Sequence, residues 1–461
     1  MKPPESDDHR GNDERGGDLL ARDARHLWHP YTQHGLEAAP LPVVAASGAT
    51  LTLADGRTLI DAISSWWTCL HGHGEPRLVD AMERQARQLD HVLFAGATHE
   101  PAVALAEALV EAAPKTKPKL ADGAGGISGR ALTRVFFSDD GSTAVEVALK
   151  IAVHAAVQRG EPERRLFLAL EGGYHGDTFG AMSAGDPDPF FEPYRPLLFE
   201  VVRVAPDAAA IGAAIERHAQ RLAGVIVEPL VQGAAGMRMH GAEVVRAARA
   251  ACDEQSVPLI ADEVMTGFGR TGELFACAKA GVVPDLLCLA KGLTNGMLPL
   301  AATLATEALF DTFKSSDRRR LFPHGHSMTG NPIGCAVALT SLALGRERGV
   351  AKKLDAIGTR IEGALAPLVG HPRVQSLRRC GGIVAFDLVE ATPRSGAKAA
   401  TETSGASYWS NQTLKLRAAA LERGVLLRPL GNVVYALPPA CTTDAQCDAI
   451  AAAMRALVDV E

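Results

Sequence analysis

The segment PLIADEVMTGFGRTGELFACAKAGVVPDLLCLAK, residues 258–291, contains two short apolar runs that each end in a charged side chain. PLIAD ends at Asp262, and DLLCLAK ends at Lys291. Apolar runs without alternating polar residues are typical of strands that are covered on both faces. A charged group at the end of such a strand is costly unless it is paired or used in chemistry. The segment therefore predicts two buried strands that present Asp262 and Lys291 to a site.

The same pattern continues on both sides of this segment. Between about residues 130 and 310, helical segments separate further apolar runs, namely RVFFS (134–138), RLFLAL (165–170), VVRV (201–204), GVIVE (224–228) and PLAATLAT (299–306). Helices between buried strands indicate parallel crossover units. We therefore predict an α/β fold with a mostly parallel central sheet, whose chemistry lies at the carboxyl ends of the strands.

Two more strand ends carry groups that suit a ligand. RVFFS is followed by Asp139–Thr143 and a helical stretch, so Gly141 and Ser142 begin a helix whose free N–H groups favour a phosphate. An ordinary capped helix is the alternative here. No Walker A or GxGxxG motif is present, so nucleotide binding is not supported. RLFLAL is followed by EGGYHGD (171–177), a tight loop that presents Tyr174 and Asp177 or that serves only as a turn.

Among the lysines, Lys291 is the best candidate for a nucleophile. Burial lowers the pKa of a lysine towards the range in which its neutral amine reacts. The exposed face of a helix explains Lys150, and no apolar strand precedes Lys279. A phosphate-binding helix start, a strand-end aspartate and a strand-end lysine together suggest pyridoxal phosphate. Lys291 would form the Schiff base and Asp262 would keep the pyridine nitrogen protonated.

Composition excludes several classes of partner. The 461 residues contain 47 Lys and Arg against 53 Asp and Glu, a net charge of −6, which gives no argument for nucleic acid. The eight cysteines form no CxxC pair, which argues against a zinc site or a disulfide framework and for a reducing compartment. The charged amino terminus is no secretory signal, and no apolar run is long enough for a membrane span. We expect a cytoplasmic protein without a metal.

The domain organisation follows from these patterns. We expect a flexible tail (1–20), a large cofactor-binding domain (86–340), and a smaller α+β domain built from both chain ends (21–85 and 341–461). The segments 115–131 and 391–407 are rich in small and polar residues, so we expect exposed loops there.

The sequence resembles the class III aminotransferases of fold-type I, whose signature matches residues 259–296. Further motifs resemble the members that aminate 8-amino-7-oxononanoate in biotin biosynthesis; they include WHPYTQ (28–33), SSWWTCLHGHGEPRL (64–78), VEPLVQGAAGMRMH (227–240) and RPLGNVVYALPP (428–439). The resemblance implies pyridoxal phosphate as cofactor, S-adenosylmethionine and 8-amino-7-oxononanoate as substrates, and a homodimer with active sites at the subunit interface. Lysine as the amino donor, or another ω-aminotransferase activity, stays open. A non-catalytic protein of this fold is a further alternative, against which the intact Lys291, Asp262 and Arg428 count.

The resemblance also implies roles for individual residues. Lys291, Asp262 and Tyr31 would be catalytic, while a role in packing alone stays open for Trp67. The cofactor would be bound by Gly141, Ser142, Tyr174, Asp262, Lys291, His326 and Ser327. The substrate would contact Tyr31, Trp66, Tyr174, Asp177, Arg270, Lys291, Gly325 and Arg428. A bidentate guanidinium from Arg428 suits a distal carboxylate, and aromatic walls suit an aliphatic chain.

One motif departs from the family pattern. Where HGPTFMGNP is expected, residues 324–332 read HGHSMTGNP, so His326 replaces a proline and Ser327 replaces a threonine. Ser327 keeps a hydroxyl for a phosphate, whereas His326 removes a backbone constraint. In the family this segment reaches the cofactor of the other subunit, so the departure concerns cofactor affinity across the interface.

Overall fold

The computed structural model describes residues 9–115, 130–186, 191–389 and 410–460. In chain order the strands are β1 (Val43–Ser47), β2 (Thr50–Leu53), β3 (Thr58–Asp61), β4 (Leu132–Ser138), β5 (Leu166–Leu170), β6 (Val201–Val204), β7 (Leu222–Val227), β8 (Val231–Gln232), β9 (Arg238–Met239), β10 (Leu259–Asp262), β11 (Leu286–Leu289), β12 (Ala301–Thr306), β13 (Val374–Cys380), β14 (Ile383–Leu388), β15 (Val425–Leu426) and β16 (Val433–Ala436).

The helices are α1 (His9–His26), α2 (Ser64–Trp67), α3 (Pro76–Gln88), α4 (Glu100–Ala112), α5 (Gly141–Gln158), α6 (Phe179–Ala184), α7 (Ala208–His218), α8 (Ala242–Glu254), α9 (Ala276–Ala280), α10 (Glu307–Asp311), α11 (Pro332–Glu347), α12 (Val350–Leu365), α13 (Gln412–Glu422) and α14 (Asp444–Ala456). The short α2 is a turn of residues with positive φ rather than a regular helix. No described helix is long and apolar enough to cross a membrane.

A seven-stranded sheet forms the centre of the molecule, in the order β4-β12-β11-β10-β7-β5-β6. All its neighbouring pairs are parallel except those that β12 makes with β4 and β11. The prediction of an α/β fold with a mostly parallel sheet is confirmed. Strand β12 runs antiparallel because residues 290–300, which follow β11, form only one short 3-10 helix (Lys291–Thr294) and turns, and a parallel return needs a crossover of about a dozen residues or more.

Every residue of β5, β7, β10, β11 and β12 is buried, which explains why these runs are apolar without alternation. The buried face of α5 packs on one side of the sheet, in a cluster with Phe167, Ile226, Ile260 and Leu286. Buried residues of α7 and α8 pack with Leu168, Val225 and Leu259 on the other side. These two layers hold the carboxyl ends of the strands in fixed positions.

Smaller sheets join the two ends of the chain. In the sheet β1-β2-β3-β15, strand β15 pairs parallel to β3, with Val425 opposite Ile60. Strands β13, β14 and β16 form another antiparallel sheet. The pairing of β3 with β15 supports a small domain made from both chain ends, and the proposed domain boundaries stay a prediction.

The amino-terminal prediction differs from the structure. Residues 9–20, which we expected in a flexible tail, lie in α1, where Arg22 and Asp18 pair one turn apart at 3.0 Å. Residues 1–8 lie outside the described ranges. The predicted loop 115–131 is described only at residues 115, 130 and 131, and the predicted loop 391–407 lies wholly outside.

Candidate active site

A cavity of about 480 Å³ opens at the carboxyl ends of the central strands. It brings together five residues that the sequence predicted for one site: Gly141, Ser142, Tyr174, Asp262 and Lys291. They follow β4, β5, β10 and β11, so four separate strand ends supply them. A concave site at this edge, with convergent polar groups, is the usual position for a ligand in an open α/β sheet.

Lys291 lies two residues beyond the end of β11, with a positive φ of 42°. The surrounding protein desolvates its ammonium group and lowers the pKa of Lys291 to about 8, although the charges of Asp262 and Glu228 oppose this change. Nζ lies 4.5 Å from the ring centroid of Trp67, within reach of a cation–π contact. A lysine of this kind has a neutral, nucleophilic fraction near neutral pH.

Trp67, for which a packing role alone was left open, lines the same cavity. Its indole Nε1 donates to the hydroxyl of Tyr435 at 3.1 Å, and the two rings meet edge to face. The indole is thereby fixed beside Lys291.

Asp262 is held by a histidine that the sequence reasoning did not single out. His175 Nδ1 lies 2.7 Å from Asp262 Oδ2, and the N–H of Val264 donates to Oδ1 at 3.0 Å. Both side chains of the pair are almost wholly buried. The available signal was a histidine in the loop EGGYHGD. The strand before this loop ends at the same edge of the sheet as the strand that carries Asp262. The two hydrogen bonds fix the position of the Asp262 carboxyl group inside the cavity.

Glu228 is a second residue that was missed, although it ends the predicted run GVIVE. Its carboxylate accepts N–H groups of Tyr174 and Gly233, each at 3.0 Å. Burial raises the pKa of Glu228 to about 7. The carboxyl group therefore holds the Tyr174 loop against the strand β7.

The start of α5 is the helix end for which an anion site was predicted. Asp140 and Thr143 form a reciprocal cap, in which the N–H of Thr143 donates to Asp140 Oδ1 at 2.9 Å. The N–H groups of Gly141 and Ser142 have no acceptor among the described residues and stay available to an anion. A Cβ at Gly141 would lie 2.6 Å from Val264 Cγ1, so this position requires glycine.

A second group of predicted residues, Tyr31, Trp66, Asp177 and Arg428, is not among the lining residues but adjoins the cavity through Tyr174 and Ser142, and we call this region its mouth. The hydroxyls of Tyr31 and Tyr174 both donate to Asp177 Oδ1, at 2.7 Å and 2.9 Å. The N–H of Asp177 in turn donates to Ser142 Oγ at 2.9 Å. Asp177 therefore links the anion site to the aromatic residues.

Arg428 and Trp66 complete this mouth. The ring of Trp66 meets Tyr31 edge to face at 5.7 Å, and Arg428 Cζ lies 4.6 Å from the ring centroid of Trp66. Arg428 Nη2 donates only weakly, to the carbonyl oxygen of Tyr31 at 3.5 Å. Within the described part of the chain Arg428 forms no ion pair, so its guanidinium can bind an incoming carboxylate.

The structure places Arg270 elsewhere. It is buried behind Trp67, where its guanidinium donates to the carbonyl oxygens of Pro438 at 3.0 Å and Trp67 at 3.3 Å. Burial lowers the pKa of Arg270 to about 10. Arg270 does not line the cavity, so its predicted contact with substrate stays a prediction.

The segment with Gly325, His326 and Ser327 does not line the cavity either. His326 Nδ1 accepts the N–H of Met328 at 3.2 Å, and the N–H of His326 donates to Thr329 Oγ1 at 3.1 Å. The imidazole thus closes a turn of its own where the family has a proline. The expected contact of Ser327 with a phosphate stays a prediction.

The family model "Aminotransferase class-III" matches residues 31–458, and the chain belongs to this family of aminotransferases. It is therefore a pyridoxal-phosphate-dependent aminotransferase. The chain is 47% identical over 453 residues to an adenosylmethionine-8-amino-7-oxononanoate aminotransferase from Synechococcus elongatus, covering 94% of this chain and 98% of the relative. It is 37% identical over 449 residues to an enzyme of the same name from Geobacter sulfurreducens, covering 92% and 94%.

Solved structures agree on the fold. The adenosylmethionine-8-amino-7-oxononanoate aminotransferase from Methanocaldococcus jannaschii has a TM-score of 0.86 and 33% identity, covering 96% of this chain and 98% of that one. An (S)-enantioselective omega-transaminase from Thermomicrobium roseum has a TM-score of 0.85 and 29% identity, with the same coverage. Because the two scores are nearly equal, the fold alone does not distinguish these activities.

The residues present fit pyridoxal phosphate. The available N–H groups of Gly141 and Ser142 suit its phosphate, and Gly176 leaves no room for a side chain against Ser142. The buried carboxylate of Asp262 suits a protonated ring nitrogen, and the amine of Lys291 suits its aldehyde. One cavity therefore contains a partner for each reactive part of the cofactor.

Proposed function

We propose that this protein transfers an amino group from S-adenosylmethionine to 8-amino-7-oxononanoate and forms 7,8-diaminononanoate in biotin biosynthesis. The observation that carries the proposal is the guanidinium of Arg428, which lies 4.6 Å from the ring centroid of Trp66 and has no ion-pair partner among the described residues. It offers a carboxylate site beside an aromatic wall, which suits a keto acid with an aliphatic chain. Relatives that align with 90% or more of the chain bear the corresponding name.

The two adjacent tryptophans support this choice of substrate. Trp66 lies beneath Arg428, and Trp67 lies beside the amine of Lys291. A substrate that places its carboxylate on Arg428 can thus lay its methylene chain along the aromatic residues and present its ketone near Lys291. Substrates without a distal carboxylate would leave Arg428 unpaired and would bind more weakly.

Lys291 moves the protons of the reaction. With a pKa of about 8, its amine accepts a proton from the α-carbon of the donor and returns it during amination of the ketone. Bound pyridoxal phosphate supplies the electron sink that stabilises the developing negative charge. Asp262, held by His175 at 2.7 Å, keeps its carboxylate where a positive ring nitrogen needs it.

Asp177 orients the groups at the mouth. It accepts the hydroxyls of Tyr31 and Tyr174, so both rings are fixed by one carboxylate. The ring of Tyr174 also stacks on Phe191 with an interplanar angle of 23°. These contacts form a rigid aromatic wall on one side of the cavity.

The test separates the two half-reactions. The holoenzyme is mixed with S-adenosylmethionine, lysine or a simple amine, and the absorbance change of the aminated cofactor is followed. 8-Amino-7-oxononanoate is then added to reverse that change. We expect S-adenosylmethionine to act and lysine to be silent. Amination of the cofactor by lysine alone would refute S-adenosylmethionine as the donor. If only generic ketones remove the amino group from the aminated cofactor, the result would favour an omega-transaminase.

We further propose a homodimer, located in the cytoplasm, whose active sites lie at the subunit interface. Large apolar side chains such as Trp28, at 91% exposure, and Leu93, at 63%, support a covered surface. All eight cysteines are free thiols, as a reducing compartment favours. Light scattering that gives the mass of one chain at micromolar concentration would contradict the dimer.

A further inference from the structure

Four consecutive residues, Ser64 to Trp67, have positive φ values of 50°, 45°, 68° and 74°. None of them is glycine, and side chains with a Cβ rarely adopt this conformation. Strain of this kind persists only where surrounding contacts over-determine it, and it is concentrated at functional sites. The turn carries the two tryptophans of the active site, so the contacts that hold it also hold Trp66 and Trp67.

Asp61, the last residue of β3, binds this turn at Ser65 through both of its carboxylate oxygens. Its carboxylate is fully buried, and Oδ1 accepts the N–H of Ser65 at 2.9 Å and of Ile63 at 3.3 Å. Oδ2 accepts the hydroxyl of Ser65 at 2.8 Å. The carboxylate therefore supplies the acceptor for the N–H of Ser65, whereas the N–H groups of Trp67 and Thr68 keep the backbone acceptors Ile63 and Ser64.

His73 holds Asp61 from the other side. Its Nε2 lies 2.8 Å from Asp61 Oδ2, and its Nδ1 lies 3.7 Å from Cys69 Sγ. The backbone of His73 is fixed as well, because its N–H and carbonyl oxygen both pair with Gly48 at 2.8 Å and 3.0 Å. An imidazole that is anchored at its backbone can fix the carboxylate in one position.

We propose that Asp61 and His73 are positioning residues, and that their ion pair holds the turn which sets Trp66 under Arg428 and Trp67 beside Lys291. This role rests on the proposed function, because it assigns the keto-acid contact to Trp66 and Arg428. Neither residue touches the cavity, so both act through the turn.

The charges around the pair agree with this role. Hydrogen bonds to Asp61 and then Cys69 raise the pKa of His73 to about 10. Burial opposes ionisation of Asp61, but its hydrogen bonds with His73 and Ser65 leave its pKa lowered. The groups that face His73 are Asp61, Cys69 and Ser65. Because the folded pKa of His73 is raised, the stabilisation is complete below its ordinary value near 6.5 and is lost as the pH rises through about 10.

The test uses the holoenzyme with His73→Gln and Asp61→Asn, and Asp55→Asn as a matched control. Asp55 accepts the N–H of Arg57 at 3.0 Å in an exposed turn of the same sheet. Amide hydrogen exchange of residues 62–69 is measured without substrate, and KM and kcat for the keto acid are measured separately. We expect exchange in this segment to accelerate about tenfold or more in both variants, since a charge-assisted hydrogen bond is lost. We expect KM for the keto acid to rise by a similar factor, with a smaller change in kcat.

The pH dependence gives a second readout. Exchange in residues 62–69 of the wild type should accelerate as the pH approaches 10, beyond the intrinsic base-catalysed increase, whereas His73→Gln should show no such additional step. Wild-type-like exchange in both variants would overturn the proposal, as would equal acceleration across the whole of β1 to β3. Failure of the proposed function is distinguishable, because it would change which keto acid reacts and leave the exchange result intact.

Discussion

Replacing Arg428 by lysine tests the substrate assignment most directly. Lysine keeps one positive charge but loses the planar fork that binds a carboxylate through two parallel hydrogen bonds. It also loses most of the contact with the ring of Trp66, whose centroid lies 4.6 Å from Arg428 Cζ. A hydrogen bond to a charged group contributes about 1.5–3 kcal/mol, and an exposed cation–π contact contributes about 0.5–1 kcal/mol.

The loss of one such hydrogen bond and part of the ring contact corresponds to about 2 kcal/mol, or roughly a thirtyfold rise in KM for the keto acid. Because the proposed function assigns the proton transfers to Lys291 and not to Arg428, kcat should change little. The assay is a single-turnover titration of the aminated holoenzyme with 8-amino-7-oxononanoate. The methyl ester of this substrate should bind equally weakly to both proteins.

Two control variants make the result decisive. Arg423 is exposed and donates to the carbonyl oxygen of Ala419, so Arg423→Lys should leave KM unchanged. Arg417 lies close to Arg428 but pairs with Glu37 at 3.5 Å, so Arg417→Lys should have a smaller effect. An unchanged KM in Arg428→Lys, or a larger rise in Arg417→Lys, would refute the assignment of the carboxylate to Arg428.

Three further predictions concern the buried charges. Lys291→Ala should abolish turnover and the visible absorbance of lysine-bound cofactor. In the wild type, attachment of the cofactor to the apoenzyme should accelerate as the pH rises through about 8, which stopped-flow absorbance can measure. Arg270→Lys should lower the free energy of unfolding by roughly 1–3 kcal/mol in urea titrations and leave KM unchanged, because among the described residues its guanidinium donates to the carbonyl oxygens of Pro438 and Trp67. A selective rise in KM would instead support a substrate contact. The folded state raises the pKa of Glu228 to about 7 and so favours its protonated form. The free energy of unfolding should therefore fall as the pH rises from about 4.5 through 7. Glu228→Gln should reduce that fall by up to about 3 kcal/mol, and an unchanged pH dependence of the urea midpoint would contradict this prediction.

The sequence was sufficient for the strand-end residues. Asp262 and Lys291 each follow an uninterrupted apolar run, and such a run gives both the strand and the edge at which it ends. Because parallel strands end at the same edge, residues that are 29 positions apart could be assigned to one cavity. The same logic located the helix start at Gly141.

The partners of these residues were harder to predict. His175 and Glu228 also follow predicted strands, but a single histidine or carboxylate in a loop has many possible roles. Their assignment depends on which strands are neighbours, and the order β10-β7-β5 cannot be derived from the strands' own apolar patterns. The antiparallel direction of β12 could not be predicted for a similar reason, because its residues are buried like those of its parallel neighbours.

The adjacent tryptophans show where local sequence rules fail. Trp66 and Trp67 follow an apolar stretch, and nothing in SSWW predicts four successive residues with positive φ. That conformation depends on Asp61, Ser65 and His73, which fold around it from a strand end and from a later loop. Its consequence is functional, since Trp66 is 37% exposed at the mouth of the cavity and Trp67 is buried beside Lys291. Under the proposals made above, two neighbouring residues would therefore serve substrate recognition and the reactive amine separately, and this separation would exist only while the strained turn is held.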